Sequence, residues 1–416
     1  MDTQETDVVI VGGGIPGFAA AVESFRRGLR ARILRRDSDG ERAPRLGALL
    51  NPRALECLAR LEIYDALAAE GAPIERVALH AGGAAEPAVV LPYGEAGAAF
   101  PHALGISHAA FQAVCLDTFA RFTAIQVEQG VELLSLLREK GRVQGALARG
   151  PQGDIAYRAK AVVVTTGEGG APVRAEAGAD QRVTPYAEEQ TTLLVGRPET
   201  FPGEARVWLD ARGVVLCHPI SPALLRMVVL APPAATAAAR AGGADGWRRF
   251  LVPIAPPLEE ALKGLGPAAA DCVEPCLRSH ARSWVGDNVA LAGPAALAMS
   301  PVTLLAESVA VQDLHALALV LSKSRASGDF SRHALKPYED RRRPAAEAVA
   351  SLTHDFHRAG AAASGLWARA QSAGLERLAR LPEARRQLAR LLAGDEIEVT
   401  LADRLRLGGL LPAKRG

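Results

Sequence analysis

Three glycines near the amino terminus carry the clearest chemical signal. Gly12, Gly14 and Gly17 stand at G-x-G-x-x-G spacing within the run GGGIPG. That spacing suits a dinucleotide. One glycine makes a tight turn, one lets a pyrophosphate approach bare backbone, and one lets a helix pack closely on a strand. Two titratable residues elsewhere are candidates for acid–base work. His218 follows the apolar run Val214–Cys217 and precedes Pro219. An imidazole at a strand end can exchange a proton near neutral pH, or it can be a hydrogen-bonded structural residue. Glu307 falls near the start of a helix that follows Pro301. In an apolar pocket it would be an acid or base with a raised pKa, and at a helix N-terminus it would complement the macrodipole. Cys272 and Cys276 form an isolated C-x3-C. A tetrahedral zinc needs four ligands, so the pair reads as two unlinked thiols and no metal is expected. No Ser–His–Asp arrangement can be argued from spacing.

The elements that must position these residues follow from patterning. Asp7–Gly12 is a β-branched run ended by glycines, hence a short buried strand. A helix then runs to about Arg27, with Gly28 as its stop, and a strand covers Ala31–Leu34. Asn51 and Pro52 open another helix as cap and first residue. Ser107 caps a helix expected to reach Gln129 and to stop at Gly130. Strands are expected at Val131–Leu137, Arg142–Ala148 and Ala161–Thr165. Between Ala175 and Arg282 short β-rich runs appear, at Thr191–Val195, Ala205–Leu209, Val214–Cys217 and Leu224–Leu230, with helical stretches near 235–250 and 257–264. This reads as a second, sheet-containing domain inserted in the first. Asn288–Ala292 returns to a core strand, and from Val302 through Leu392 the pattern is helical.

The 416 residues suit about two to three domains. Apolar residues at 49% and charged residues at 23% exclude a largely disordered chain. A net charge of +2 gives no sign of a nucleic-acid partner. The opening MDTQET is no signal peptide, and five scattered cysteines suit a reduced, cytoplasmic protein. The longest uncharged run, Asn288–Ala306, contains Pro294 and Pro301 and is not read as a membrane span.

Five pieces, in order, resemble the flavoprotein aromatic hydroxylases of the para-hydroxybenzoate hydroxylase fold. They are GGGIPG, the segment Arg45–Glu56, Ile106–Phe111, the run Ala295–Asp313 ending in Val311-Gln312-Asp313, and Tyr338–Pro344. The resemblance implies an α/β chain: a Rossmann-like FAD-type domain (1–174 and 283–330), an inserted β-sheet substrate domain (175–282) and a helical C-terminal region (331–416). It also implies FAD, NAD(P)H and dioxygen, with a flavin hydroperoxide delivering oxygen to an aromatic or polyketide substrate. Gly12, Gly14, Gly17, Arg45 and Gly293 match the family's cofactor-binding positions. The isoalloxazine would lie at the boundary between the two domains.

The chain also departs from that pattern. The acidic residue that ends the family's second strand is Arg35 here, which cannot accept ribose hydroxyls; it could suit a phosphate or be a solvated surface arginine with no ligand. The family's middle Asp-Gly is Gly167-Glu168, and the aspartate that holds the ribityl chain is Pro294. The flavin-facing loop, normally glycine-rich, is Pro301-Val-Thr-Leu304-Leu305-Ala306-Glu307-Ser308. Leu304 and Leu305 would put bulk at the isoalloxazine position or bury themselves as core. Four or five lost polar contacts at about 1–2 kcal/mol each give roughly 5–8 kcal/mol, which moves a nanomolar cofactor toward millimolar. The expectation is therefore a scaffold without FAD that runs a redox-neutral step on a polycyclic or polyketide-like small molecule. Cyclisation, pericyclic closure, dehydration and isomerisation are the candidate reactions. Glu307 and His218 are the expected catalytic residues, and Trp208, Arg226, Leu304, Leu305 and Pro301 the expected substrate pocket, with a core tryptophan and a surface arginine as the default readings of Trp208 and Arg226. His108 falls near the family's flavin-side polar residue. The alternatives are a working FAD- and NAD(P)H-dependent monooxygenase and a non-catalytic binding partner. The oligomeric state stays open.

Overall fold

The computed structural model describes residues 2–36, 47–120, 124–167, 171–176, 179–266, 270–361 and 375–396. Its organising strand is Val8–Val11, four aliphatic residues buried on both faces. That composition suits the middle of a parallel sheet covered on both sides. The strand pairs in parallel with Ala31–Arg35 on one side and Ala161–Val164 on the other. Ile125–Gln129 and Val289–Leu291 extend the sheet in parallel, and Val285–Gly286 closes one edge antiparallel. The chain thus leaves Val8–Val11 first toward one edge and later toward the other. Ligands of such sheets sit at the carboxyl ends of the strands where the order reverses.

The helix Ile15–Arg26 leaves that point, with proline in its first turn and Gly28 in the left-handed region at φ +71° just beyond its end. The helix Pro52–Arg60 opens as expected, Asn51 accepting the Ala54 N–H at 2.9 Å. The helix after Ser107 is shorter than its sequence suggests. It spans His108–Ala120, and Ile125–Gln129 is an edge strand beside Ala31–Arg35. Ile125 and Val127 alternate with Gln126 and Glu128, so period-two burial at a sheet edge, with Arg32 paired to Glu128, overrides helical continuation.

A second sheet has eight strands, centred on Gln181–Gly196, Leu224–Ala231, Gly213–Pro219 and Glu204–Asp210. It reaches beyond 175–282, because Arg76–Ala81 and Val89–Pro92 form one edge and Leu297–Ala298 the other. The helices Pro233–Ala241 and Gly243–Leu251 cover one face over Trp208 and Met227, with Trp247 of the second helix in the same core. The other face turns toward the parallel sheet and the helices Ala306–Ser327 and Arg332–Ala361. A four-stranded sheet flanks the parallel sheet, and a three-stranded sheet packs on the strands Glu204–Asp210 and Gly213–Pro219. The helix Pro382–Ala393 packs beside Val89–Pro92. None of the five cysteines forms a disulfide. Among the described residues no helix is long and apolar enough to cross a membrane, and no cluster of metal-ligating side chains occurs.

Candidate functional site

A cavity of about 280 Å³ opens where the parallel order reverses, bordered by Gly12, Gly13 and Gly14, by Thr165–Gly167 and Pro294, and by His108, Gln112, Glu274 and Glu307. The three motif glycines answer to different demands. A Cβ on Gly17 would lie 1.8 Å from the Gly12 carbonyl oxygen, so glycine there lets the helix touch the strand. Gly12 has φ +127°, and a Cβ would meet Thr165 Oγ1 at 2.5 Å. Gly14 has ordinary extended backbone, φ −80° and ψ −177°. Its Cβ would meet only Pro16 Cδ, at 3.6 Å. The fold does not require glycine at position 14. A side chain there would instead enter the cavity, which is the requirement of a ligand that lies on backbone.

The opposite wall is carboxylate-rich. Glu307 begins the helix Ala306–Ser327 and borders the cavity. Enclosure raises its pKa above the usual carboxylate range, the Arg226 charge pulls it back, and Glu274 pushes it up again. Glu274 is fixed on its strand by the Gln190 side chain at 3.2 Å. Arg226 is buried behind this wall, and its Nε has no hydrogen-bond partner among the described residues. His218 lies directly opposite Arg226 on the neighbouring antiparallel strand, so both project from one face of the sheet. Its Nδ1–H donates to the Pro219 carbonyl at 3.1 Å, which leaves Nε2 as an unpartnered buried acceptor. Burial, then the Arg226 charge, lowers the pKa of His218 to about 3 and that of His108 to about 3. Both imidazoles are neutral at physiological pH.

The structure sorts the residues expected from sequence. Glu307 and His108 border the cavity, whereas His218 and Arg226 stand behind it. Trp208 is on the far face of the eight-stranded sheet. It stacks on His80 at 4.7 Å and donates Nε1–H to the Ala84 carbonyl, because its strand parity points it into the helix-covered core. Leu304 and Leu305 do not enter the glycine-lined cavity. Leu304 closes an apolar gap of about 40 Å³ with Leu79, Val207, Leu209 and Phe356. Leu305 is 1% exposed and packs into the same core. Pro301 opens the short 3₁₀ turn Pro301–Thr303 that leads to them, capped by Ser300. Gly293, at φ +56°, lies against Pro16 and Ala310. Arg35 ends its strand buried, with Nε unpartnered among the described residues. Arg45 and Glu168 lie outside the described residues.

Sequence reading missed Gln112, Glu274 and Thr165. Gln112 is four residues after His108, so both emerge on one helix face, and its amide donates to the Gly13 carbonyl. That spacing was available as a signal. Thr165 Oγ1 donates to the Val11 carbonyl at 3.0 Å and ties the ends of two adjacent parallel strands together. Glu274 reaches the cavity through strand pairing across some 80 residues of chain, which no local pattern announces.

Comparison with known proteins agrees with this geometry. The family described as FAD binding domain matches residues 5–241, more than half of the chain. This chain belongs to that family. The 6-methylpretetramide 4-monooxygenase of Streptomyces rimosus is 29% identical over 142 residues, 34% of this chain and 25% of that protein. The match therefore spans about a quarter of the curated relative. Among solved structures, Pseudomonas aeruginosa PqsL in complex with 2-aminobenzoylacetate superposes with a TM-score of 0.75 at 20% identity, covering 89% of this chain and 99% of that one. Klebsiella pneumoniae HpxO, complexed with FAD and uric acid, gives 0.76 at 17% identity over 94% and 97% of the two chains. At such identities the likeness shows the fold, that of the para-hydroxybenzoate hydroxylase-type monooxygenases.

The family's cofactor can be tested against these side chains. The glycine turn, with the helix N-terminus of Ile15–Arg26 behind it, fits a pyrophosphate. The far end departs from that chemistry. Pro294 offers no carboxylate and no amide hydrogen, and two carboxylates, Glu274 and Glu307, share the wall of the cavity.

Proposed function

We propose that this chain is an enzyme of the monooxygenase scaffold that carries out a redox-neutral, acid–base step on an aromatic or polyketide-like small molecule. The observation that carries the reading is Glu307, a carboxyl group of raised pKa facing the glycine-lined cavity. In its ionised form it takes a proton from an acidic C–H or O–H of the substrate, and it returns that proton at another atom. Such a transfer suits isomerisation, cyclisation or dehydration without an external oxidant or reductant. Arg226 behind the wall keeps the ionised form accessible. The curated relative's name, a monooxygenase of 6-methylpretetramide, and the 2-aminobenzoylacetate bound in one neighbouring structure support the substrate class.

A second reading is an FAD- and NAD(P)H-dependent monooxygenase. It is favoured by Gly14, whose glycine only a ligand on the backbone requires. One experiment separates the two. The purified protein is soaked with FAD, desalted and scanned in the visible range, then incubated with a phenolic polyketide such as 6-methylpretetramide. Retained no flavin, with a product of unchanged mass or lighter by one water, supports the redox-neutral step. Retained flavin, with an oxygenated product only when NADPH is added, overturns it in favour of the second. Binding without conversion under either condition leaves a non-catalytic partner.

A further inference from the structure

A separate cleft of about 740 Å³ lies between one end of the eight-stranded sheet and the helix Arg332–Ala361. Its floor is set by strand register. Arg182 is opposed to His280 and Thr184 to Arg278 across the antiparallel pair Gln181–Gly196 and Ala270–Ala281. Opposed residues, and residues two apart, project from one face of a sheet. Two arginines, a histidine and a threonine are thereby gathered side by side. The facing helix contributes Glu347, Ser351 and His354.

The charges of this floor are not balanced locally. Arg278 donates Nε–H to His280 Nε2 at 2.8 Å rather than to a carboxylate. Arg182 has no ion pair among the described residues and is exposed. The one carboxylate lining the cleft among the described residues, Glu347, is held at 2.8 Å by Arg343, which also bonds Glu339, and it stands 3.8 Å from His280 Nδ1, so it reaches neither floor arginine. Tyr186 occupies His354 Nδ1 at 2.9 Å. Two like charges on neighbouring positions of a sheet repel. A guanidinium fork is shaped for bidentate bonding to a phosphate or carboxylate.

The geometry points to a binding site for a phosphate-bearing small molecule in this cleft, held by Arg182 and Arg278 with Thr184 and Ser351 as further donors. The volume admits a phosphate ester of nucleotide size as well as a free phosphate. This inference does not depend on the chemistry at Glu307.

The test must silence the glycine turn, which is itself suited to phosphate. Calorimetric titration of the Gly14→Val protein with inorganic pyrophosphate and, separately, with adenosine diphosphate does so. Saturable binding is expected in this background. It should weaken about tenfold or more in Arg182→Ala and again in Arg278→Gln, the size of a lost charge-assisted bond. Arg182 is exposed, so its variant remains informative if Arg278→Gln misfolds. Equal affinity for both probes identifies the phosphate itself as the ligand, and tighter binding of adenosine diphosphate identifies a nucleotide. Binding that vanishes with Gly14→Val, that ignores both arginine variants, or that is absent for both probes overturns the assignment.

Discussion

Gly14 and Gly17 are three residues apart, yet the structure predicts opposite behaviour on substitution. A methyl group at position 17 collides with the Gly12 carbonyl, so Gly17→Ala must separate helix from strand. It is expected to lose about 3 kcal/mol or more of stability, in the range of severe core overpacking. Gly14→Val keeps its extended backbone and open surroundings. It is expected to stay within about 1 kcal/mol of the parent in urea denaturation, because nothing in the fold is displaced. Its loss should fall on ligand binding in the cavity. Comparable destabilisation by both substitutions would mean that Gly14 is a packing residue too. At Glu307 the expected change is chemical. Glu307→Gln preserves shape and removes the exchangeable charge, so turnover should fall about 10²- to 10⁴-fold, the usual contribution of a general acid or base. Turnover in the parent should rise through a pKa above the ordinary carboxylate range, because burial holds the proton on Glu307. A Gln variant of full activity removes Glu307 from the mechanism.

The turn before the helix Ala306–Ser327 shows what an element demands of a residue. Leu304 has φ +57°, in the left-handed region, while its side chain is buried among Leu79, Val207 and Phe356. The backbone asks for glycine and the packing asks for leucine. A non-glycine residue in this region costs about 1–2 kcal/mol, and truncating a buried leucine to alanine costs about 2–5 kcal/mol. Leu304→Gly should therefore be more stable than Leu304→Ala by about 1 kcal/mol, the reverse of the usual order of these two residues. Equal or inverted stabilities in a denaturation series would show that the turn is relaxed. The same turn marks the limit of sequence reading. The parallel sheet, the glycine turn and the capped helix at Asn51 were legible because each is written in adjacent residues. The direction of Leu304 was not, since the gap it closes is built by Val77, Leu79, Val207 and Leu209 from strands far away in the chain. Trp208 shows the same limit. Its strand puts Ala205, Val207 and Leu209 on one face and Trp208 with Glu204, Arg206 and Asp210 on the other, and only the helices packed over the second face make it a core position. The edge strand Ile125–Gln129 was hidden by a helix pattern that ran straight into it.

At the scale of the whole molecule, the eight-stranded sheet buries polar groups on its inner face, and they set how the protein responds to acid. His218 is 0% exposed, with Nδ1–H already committed to the Pro219 carbonyl and the Arg226 charge beside it. Its folded-state pKa is lowered to about 3. The unfolded value is about 6.5. The unfolded chain therefore binds the proton first as pH falls, and stability is drained from about pH 6.5 down to the folded pKa. At pH 5 this amounts to about 2 kcal/mol for His218 alone. His108, lowered in the same way by burial and Arg226, adds to the same slope. Asparagine or glutamine at 218 cannot titrate, so His218→Gln should be less stable than the parent at pH 7.5, where a well-packed imidazole is lost, yet should lose less on going to pH 5. Urea midpoints of both proteins at the two pH values give the comparison directly. A parent whose midpoint is unchanged between pH 7.5 and 5 would mean that His218 takes up its proton inside the fold. Nε2 would then have found an acceptor, and the surroundings of His218 and Arg226 would be wet enough to hold two adjacent cations.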